Sequence, residues 1–270
     1  MSNGGLYVKE AGHGLPLVLL HGWSCHSGFF KPQFKALRDT ARILAPDLPG
    51  HGETADRLPL SIEAAADAVG NLLEERDLKN VTLCGWSMGA HVAYSLIQRH
   101  GSDRIRQIIG IDMTPKVLNT ADWTLGAAGG LDQDRNDAVM GSMEIHWPQL
   151  SRKIARRIFA SEPEPDPDLL AFAETEIAAA DPLLLKPMWS SLTSQDFREL
   201  LREFPVPLHM ALGGRSSLYG PALRQWHLDN VANVHIHDFS SSGHSPHLEE
   251  KGRFNGFLRW LLAPAEVPVT

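Results

Sequence analysis

The stretch Val81-Thr82-Leu83-Cys84-Gly85-Trp86-Ser87-Met88-Gly89, continued by Ala90 and the run His91-Val92-Ala93-Tyr94-Ser95-Leu96-Ile97, decides the fold. Its first four residues form an apolar, β-prone run, and the residues after Ser87 read as a helix. Between them stands a G-x-S-x-G pattern at a strand-to-helix junction, the context that gives the pattern chemical meaning. A turn that tight holds its serine in a strained backbone region, and the flanking glycines remove side chains that would strike neighbouring backbone. The reading places the Ser87 hydroxyl in a cleft at the carboxyl edge of a sheet. The N-terminus of the following helix is then ready to stabilise a developing oxyanion. A junction that merely uses small residues is the plainer alternative.

Outward from this junction, short apolar runs alternate with helical patterns, the rhythm of a mostly parallel sheet covered by helices on both faces. The predicted strands are Leu6–Glu10, Pro16–Leu20, Arg42–Pro46, Val81–Cys84, Gln107–Ile111, Leu208–Leu212 and Val234–Phe239. Ile62, Ala65, Ala66, Val69, Leu72 and Leu73 recur at helical spacing behind Ser61, a good N-cap. A last helix is expected from about Leu248 to Leu262. The rhythm breaks between about Pro115 and Ser194, where the pattern is helical, carries the Pro-rich stretch Glu162–Asp168 and shows no convincing strand. Because strands resume at Pro207, residues 115–194 read as an insertion folded over the sheet, with 1–114 and 195–270 forming the core.

Composition narrows the function classes. The 270 residues are 43% hydrophobic and 21% charged, which excludes a disordered, collagen-like or coiled-coil chain. Lys plus Arg number 25 against 32 Asp plus Glu, a formal net charge of −7, which argues against nucleic acid or an anionic membrane as the main partner. No apolar run approaches the roughly 20 residues of a membrane span, and the first residues lack a signal-peptide pattern. The two cysteines, Cys25 and Cys84, form no disulfide framework or metal spacing and fit a reducing cytoplasm. Among 13 histidines the best metal candidate is His235-x-His237, which shares one face of a strand but has no companion ligand at a suitable spacing; surface or satisfied-core histidines are the expectation.

Three further segments join the serine. His21-Gly22-Trp23 follows the strand Leu17–Leu20, where a second oxyanion donor arises, so the expected donors are the backbone N–H groups of Met88 and Trp23. The glycine-rich turn Asp47-Leu48-Pro49-Gly50-His51-Gly52-Glu53 reads as structural. Gly243-His244 follows the strand ending near Phe239 and sets an imidazole on a loop at the same sheet edge, which makes His244 the expected general base.

In that order and spacing, the segments HGW, DLPGHG, GWSMGA and SGHSPHLEE resemble the α/β-hydrolase superfamily. Within it the chain resembles small carboxylesterases of the pimeloyl-carrier-protein methyl esterase and perhydrolase/haloperoxidase-like branches. The resemblance covers nearly the whole chain and is weak across the insertion. It implies an α/β-hydrolase fold with an eight-stranded sheet, a helical cap over the active site and a Ser–acid–His triad. Serine at the nucleophile position speaks against the similar haloalkane dehalogenases, which carry Asp there.

The acid departs from the family pattern. It usually follows the strand corresponding to Leu208–Leu212, but no Asp or Glu occurs from Pro205 through Leu228, and the segment reads Gly213-Gly214-Arg215-Ser216-Ser217-Leu218-Tyr219. Some family members place it one strand earlier, where this chain has Asp112 in Gly110-Ile111-Asp112-Met113-Thr114-Pro115. That position keeps the chain order serine, acid, histidine. A turn aspartate bonded to its own backbone is the plainer reading, and Asp122, Asp196, Asp229 and Asp238 are the rivals.

The expected catalytic set is therefore Ser87, Asp112 and His244. Trp86, Trp123, Trp147 and Trp189, with Trp23 and Met113, Met140, Met143 and Met188, suggest a pocket for apolar acyl or aryl groups; Cys25 borders it or simply packs. The expected activity is ester hydrolysis through an acyl-enzyme, without cofactor or metal, on a small ester, in a cytoplasmic monomer or homodimer. Perhydrolysis or C–C bond hydrolysis by the same triad is the rival chemistry, and a non-catalytic ligand receptor on this fold the rival class.

Overall fold

A computed structural model describes residues 5–263. Seven strands form one sheet: β1 (Val8–Ala11), β2 (Leu15–Leu20), β3 (Ala41–Pro46), β4 (Val81–Trp86), β5 (Ile105–Ile111), β6 (Leu208–Gly213) and β7 (Val234–Phe239). Their order is β1-β3-β2-β4-β5-β6-β7. β1 runs antiparallel to β3, and every other neighbouring pair is parallel. All seven predicted strands are present to within a few residues at their ends. The eighth strand implied by the family resemblance is not found among the described residues.

The helices are α1 (Lys31–Leu37), α2 (Ile62–Glu75), α3 (Met88–His100), α4 (Gln133–Ser142), α5 (Trp147–Arg157), α6 (Pro167–Ala178), α7 (Pro182–Ser194), α8 (Arg198–Arg202), α9 (Pro221–Asn230), α10 (Pro246–Glu249) and α11 (Lys251–Leu262). α2 starts where predicted: Ser61 is extended and its hydroxyl accepts the Ala64 N–H at 3.1 Å. The single C-terminal helix expected over 248–262 is instead α10 and α11, divided at Glu250, whose φ of −107° and ψ of 43° are not helical.

Period-2 alternation along the buried strands sends successive side chains to opposite faces. Val18, Leu20, Leu83, Ile108 and Met210 face one layer, packed with Ala65 and Val69 of α2 and Val92 and Leu96 of α3. Leu17, Leu19, Cys84, Ile109 and Ala211 face the other, with Leu37 of α1 and Phe254 and Leu258 of α11. Both faces being covered is why β2 and β4 read as unbroken apolar runs. Full burial of each such Leu, Ile or Val contributes about 1.5–3 kcal/mol before entropy is counted.

Between β5 and β6 the chain forms α4–α8, and the only pairings outside the sheet among the described residues are the bridges Lys116↔Asp196 and Thr120↔Trp123. The first sets the two ends of this segment side by side. The Pro-rich stretch separates α5 from α6, and its Asp166 and Pro167 start α6: the Asp166 carboxylate accepts the N–H groups of Asp168 and Leu169.

Candidate active site

β4 delivers Ser87 at its carboxyl end, in the turn before α3. Ser87 has φ 52° and ψ −117°, a region that costs a non-glycine residue of order 1–3 kcal/mol. The turn is locked by Ser87 N–H donating to the Ile111 carbonyl at 3.0 Å and Ala90 N–H to the Ser87 carbonyl at 2.9 Å. A Cβ on Gly85 would run into the Gly89–Ala90 backbone, and one on Gly89 into the Leu20 carbonyl. Both glycines of the motif are therefore required by close backbone approach. Ser87 is half-buried and its hydroxyl does not cap α3.

Asp112 follows β5, one strand over. Trp86 and Ile111 are register partners, so residues 87 and 112 leave neighbouring strands at the same level. Asp112 also has positive φ, 43°, and its N–H donates to the Ala211 carbonyl at 2.9 Å. Its carboxylate is almost completely enclosed, at 1% exposure, and it accepts three hydrogen bonds. Oδ2 accepts His244 Nδ1 at 2.7 Å and the Ser216 hydroxyl at 2.6 Å; Oδ1 accepts the Gly213 N–H at 3.1 Å. The Gly213–Tyr219 segment, where an acid was missing from the sequence, thus supplies two of the donors to the Asp112 carboxylate at the end of β5. With Nδ1 donating to the carboxylate, Nε2 is left as the acceptor.

His244, 3% exposed, is tied to the elbow by Trp86, whose indole N–H donates to the His244 carbonyl at 2.8 Å. The Trp86 and Tyr219 rings lie 5.9 Å from the imidazole. Burial, then the charge of Asp112, raises the Tyr219 hydroxyl above its ordinary range; it donates to Met113 Sδ at 3.2 Å. Next to this group, His247 is pushed down to about 3, first by burial and then by the charge on His244.

The loop after β2 lies against Ser87: a Cβ on Gly22 would touch Ser87 Cβ at 3.4 Å. The backbone N–H groups of Trp23 and Met88 make no backbone hydrogen bond among the described residues. His21 and His51 hold this loop and the 47–53 turn together. His21 Nε2 accepts the Leu48 N–H at 2.9 Å while Nδ1 donates to the Gly22 carbonyl at 2.9 Å. His51 Nε2 accepts the Ser24 N–H at 3.1 Å while Nδ1 donates to the Pro49 carbonyl at 2.8 Å. Burial lowers them to about 4 and about 3, so both are neutral braces.

Three of the expected pocket tryptophans meet, with Trp23 at their centre. Its indole donates to the Leu185 carbonyl at 2.9 Å, and its ring lies 4.8 Å from Trp189 and 6.0 Å from Trp147. Helices α5 and α7 thereby rest on the loop beside Ser87. Trp86 sits beneath, with its ring also 4.7 Å from His247. Trp123 departs from expectation: it packs on Trp226 at 5.2 Å and under Arg198 at 5.3 Å, in a surface cleft of about 310 Å³ that includes none of Trp23, Trp86, Trp147 and Trp189.

The rival acids are engaged elsewhere. Asp122 and Asp196 bind Arg198, Asp238 binds Arg224, and Asp229 accepts from Gln225. Cys25 is buried, which pushes its thiol well up, and it lines a separate cavity of about 390 Å³ with His26, His51 and Glu176. His235 and His237 are joined by His209 of β6, stacked 4.8 Å from His235 and with Nδ1 3.1 Å from His237 Nε2. Among the described residues no group of three donors is arranged to hold a metal, and no helix is long and apolar enough to cross a membrane.

Sequence reasoning missed Ser216, Tyr219 and the inward role of Trp86. A serine in the segment lacking its acid was the available signal for the first.

The comparisons agree with this architecture. A model of the alpha/beta hydrolase family matches residues 17–256. The pimeloyl-[acyl-carrier protein] methyl ester esterase of Nitrosomonas europaea is 26% identical over 254 residues, covering 92% of this chain and 96% of the relative. That of Vibrio cholerae is 27% identical over 251 residues, covering 92% and 94%. Among solved structures, an esterase from Exiguobacterium antarcticum superposes with a TM-score of 0.87 at 23% identity, covering 95% of each chain. A bromoperoxidase from Bacillus anthracis gives 0.86 at 21% identity, covering 95% and 94%. These structural likenesses speak to the fold.

Proposed function

The chain belongs to the alpha/beta hydrolase family, and from that premise we propose that it is a serine esterase, with Ser87 as nucleophile, His244 as base and Asp112 as orienting acid. The observation that carries this reading is the enclosed Asp112–His244 hydrogen bond at 2.7 Å, held at the level of the strained serine on the adjoining strand. His244 Nε2 takes the hydroxyl proton as Ser87 Oγ attacks the ester carbonyl, and Asp112 stabilises the imidazolium that forms. The Ser87–His244 contact is assigned to the substrate-bound state, where catalytic hydrogen bonds tighten.

The amides of Met88 and Trp23 hold the tetrahedral oxyanion, helped by the N-terminus of α3. His244 then returns the proton to the leaving alcohol, and a water deprotonated by the same nitrogen releases the acid. Residues 115–194 act as a cap over this site, and Trp23, Trp147 and Trp189 provide an apolar wall for an acyl or aryl group. No group on the reaction path requires a cofactor.

The names of the relatives point to a methyl ester of a carrier-bound acyl chain as the substrate class. Helix α5 supports an anionic carrier: Arg152, Lys153 and Arg157 are exposed on it beside Arg156, which pairs with Glu164, and the helix holds no carboxylate of its own. On this reading kcat/KM for a carrier-borne methyl ester falls with added salt, while that for a free p-nitrophenyl ester does not. The test of the core proposal is fluorophosphonate labelling with peptide mapping, beside turnover of short p-nitrophenyl esters with and without peroxide. Label on Ser87 with ester turnover that peroxide does not divert supports the esterase. Label elsewhere, or no turnover, refutes it.

A further inference from the structure

His244 stands on a loop, yet its ring must meet Asp112 on one side and Ser87 on the other. We propose that Glu249 is the positioning residue that holds it there, by binding the peptide N–H groups on both sides of His244 with one carboxylate oxygen and the segment after α5 with the other. Oε2 accepts the Gly243 N–H at 2.8 Å and the Ser245 N–H at 3.4 Å; Oε1 accepts the Ala160 N–H at 2.7 Å. Two further contacts join the same partners. The Ser245 hydroxyl donates to the Ile158 carbonyl at 2.7 Å, and a Cβ on Gly243 would run into the Phe159–Ala160 backbone. The loop carrying the base is thus seated directly on residues 158–160.

The chemistry of the carboxylate fits this role. Glu249 is half-buried and forms no ion pair with Lys or Arg among the described residues; three N–H groups satisfy it instead. Burial raises it above the ordinary carboxylate value, opposed by those N–H groups and by the charge of His244. Its neighbour Glu250 does a different task, accepting the Ser241 N–H and the Ser242 hydroxyl and pairing with Arg253. Glu249 does not touch the imidazole, so it acts through the loop. Displacing residues 158–160 would release the same loop, which makes the seat of the base partly the property of the inserted helices.

The inference rests on the triad reading, and the experiment separates the two. Glu249→Gln keeps the side-chain volume but has one acceptor oxygen, so its NH2 must face a peptide N–H at Ala160 or at Gly243. With a p-nitrophenyl ester, kcat of Glu249→Gln falls about ten- to hundredfold. KM stays within about twofold, near-UV circular dichroism is that of the parent, and Glu250→Gln keeps both constants. A kcat within about threefold of the parent overturns the proposal. So does a loss of kcat that only tracks the unfolded fraction, or an equal loss in Glu250→Gln. Ser87→Ala is measured alongside: turnover surviving in it refutes the triad itself, whereas an inactive Ser87→Ala with an unaffected Glu249→Gln refutes only the role of Glu249.

Discussion

Replacing Asp112 by Asn tests the acid at fixed shape. The carboxylate accepts on both oxygens, from His244 Nδ1 and Ser216 on Oδ2 and from Gly213 on Oδ1. An asparagine places its oxygen toward either Gly213 or His244, and the two orientations fail differently. If the oxygen keeps Gly213, the amide NH2 faces Nδ1 and forces the proton to Nε2, which then cannot take one from Ser87. If the oxygen turns to His244, the NH2 confronts the Gly213 N–H, and the imidazolium still loses its counter-charge. With both side chains at or below 3% exposure, water cannot substitute. The comparable substitution in a serine protease costs about 10⁴ in kcat, and we expect about 10³–10⁴ here, or roughly 4–5.5 kcal/mol of barrier. The assay is p-nitrophenyl butyrate turnover at pH 7.5 with thermal unfolding measured on the same sample. A folded D112N within about tenfold of the parent would sink the assignment of the acid.

Ser87→Ala should lower kcat by about 10⁶, with fluorophosphonate labelling lost; residual turnover above about a thousandth of the parent argues for another nucleophile. Trp86→Phe removes the indole bond to the His244 carbonyl while keeping a ring, so kcat should drop about ten- to hundredfold with KM little changed; an unchanged kcat would show the bond to be incidental. Stability should depend steeply on acid. His21, His91 and His227 are lowered to about 4, and His51 and His247 to about 3, each first by burial. Unfolded histidines titrate near 6.5, so between that value and about 4 the unfolded chain binds more protons. Stability is then complete above about pH 6.5 and lost as pH falls, by up to about 1.4 kcal/mol per pH unit for each group. A Tm that stays level from pH 7.5 to 5 would contradict the neutral assignment of these five.

What was legible in the sequence was local. Strands and helices follow from periodicity within a dozen residues, and the elbow from five consecutive positions. The proposal of Asp112 as acid was reachable because a segment conspicuously lacked its carboxylate. The rest depends on contacts across long sequence separations. Ser216 meets Asp112 across 104 positions, and Trp86 meets His244 across 158. No local pattern marks a serine as a donor to a distant acid, or turns one tryptophan beneath the site while sending Trp123 to a different cleft. His209 carried no hint that strand register would stack it on His235. The division of the last helix has a different cause: Glu250 leaves helical geometry while its carboxylate meets Ser242 and Ser241, eight and nine residues back, contacts that no helical periodicity marks.

Trp86 and Ile111 being register partners has a practical consequence. Ser87 and Asp112, the proposed nucleophile and acid, inherit their separation from a hydrogen-bonded ladder, the stiffest ruler a protein owns, and the crossover beyond Ser216 bears no responsibility for it. Gly220, with nothing within 4 Å of where a Cβ would stand, opens that crossover toward α9. A graft there, of a fluorophore or a tether to a surface, should leave the catalyst in tune.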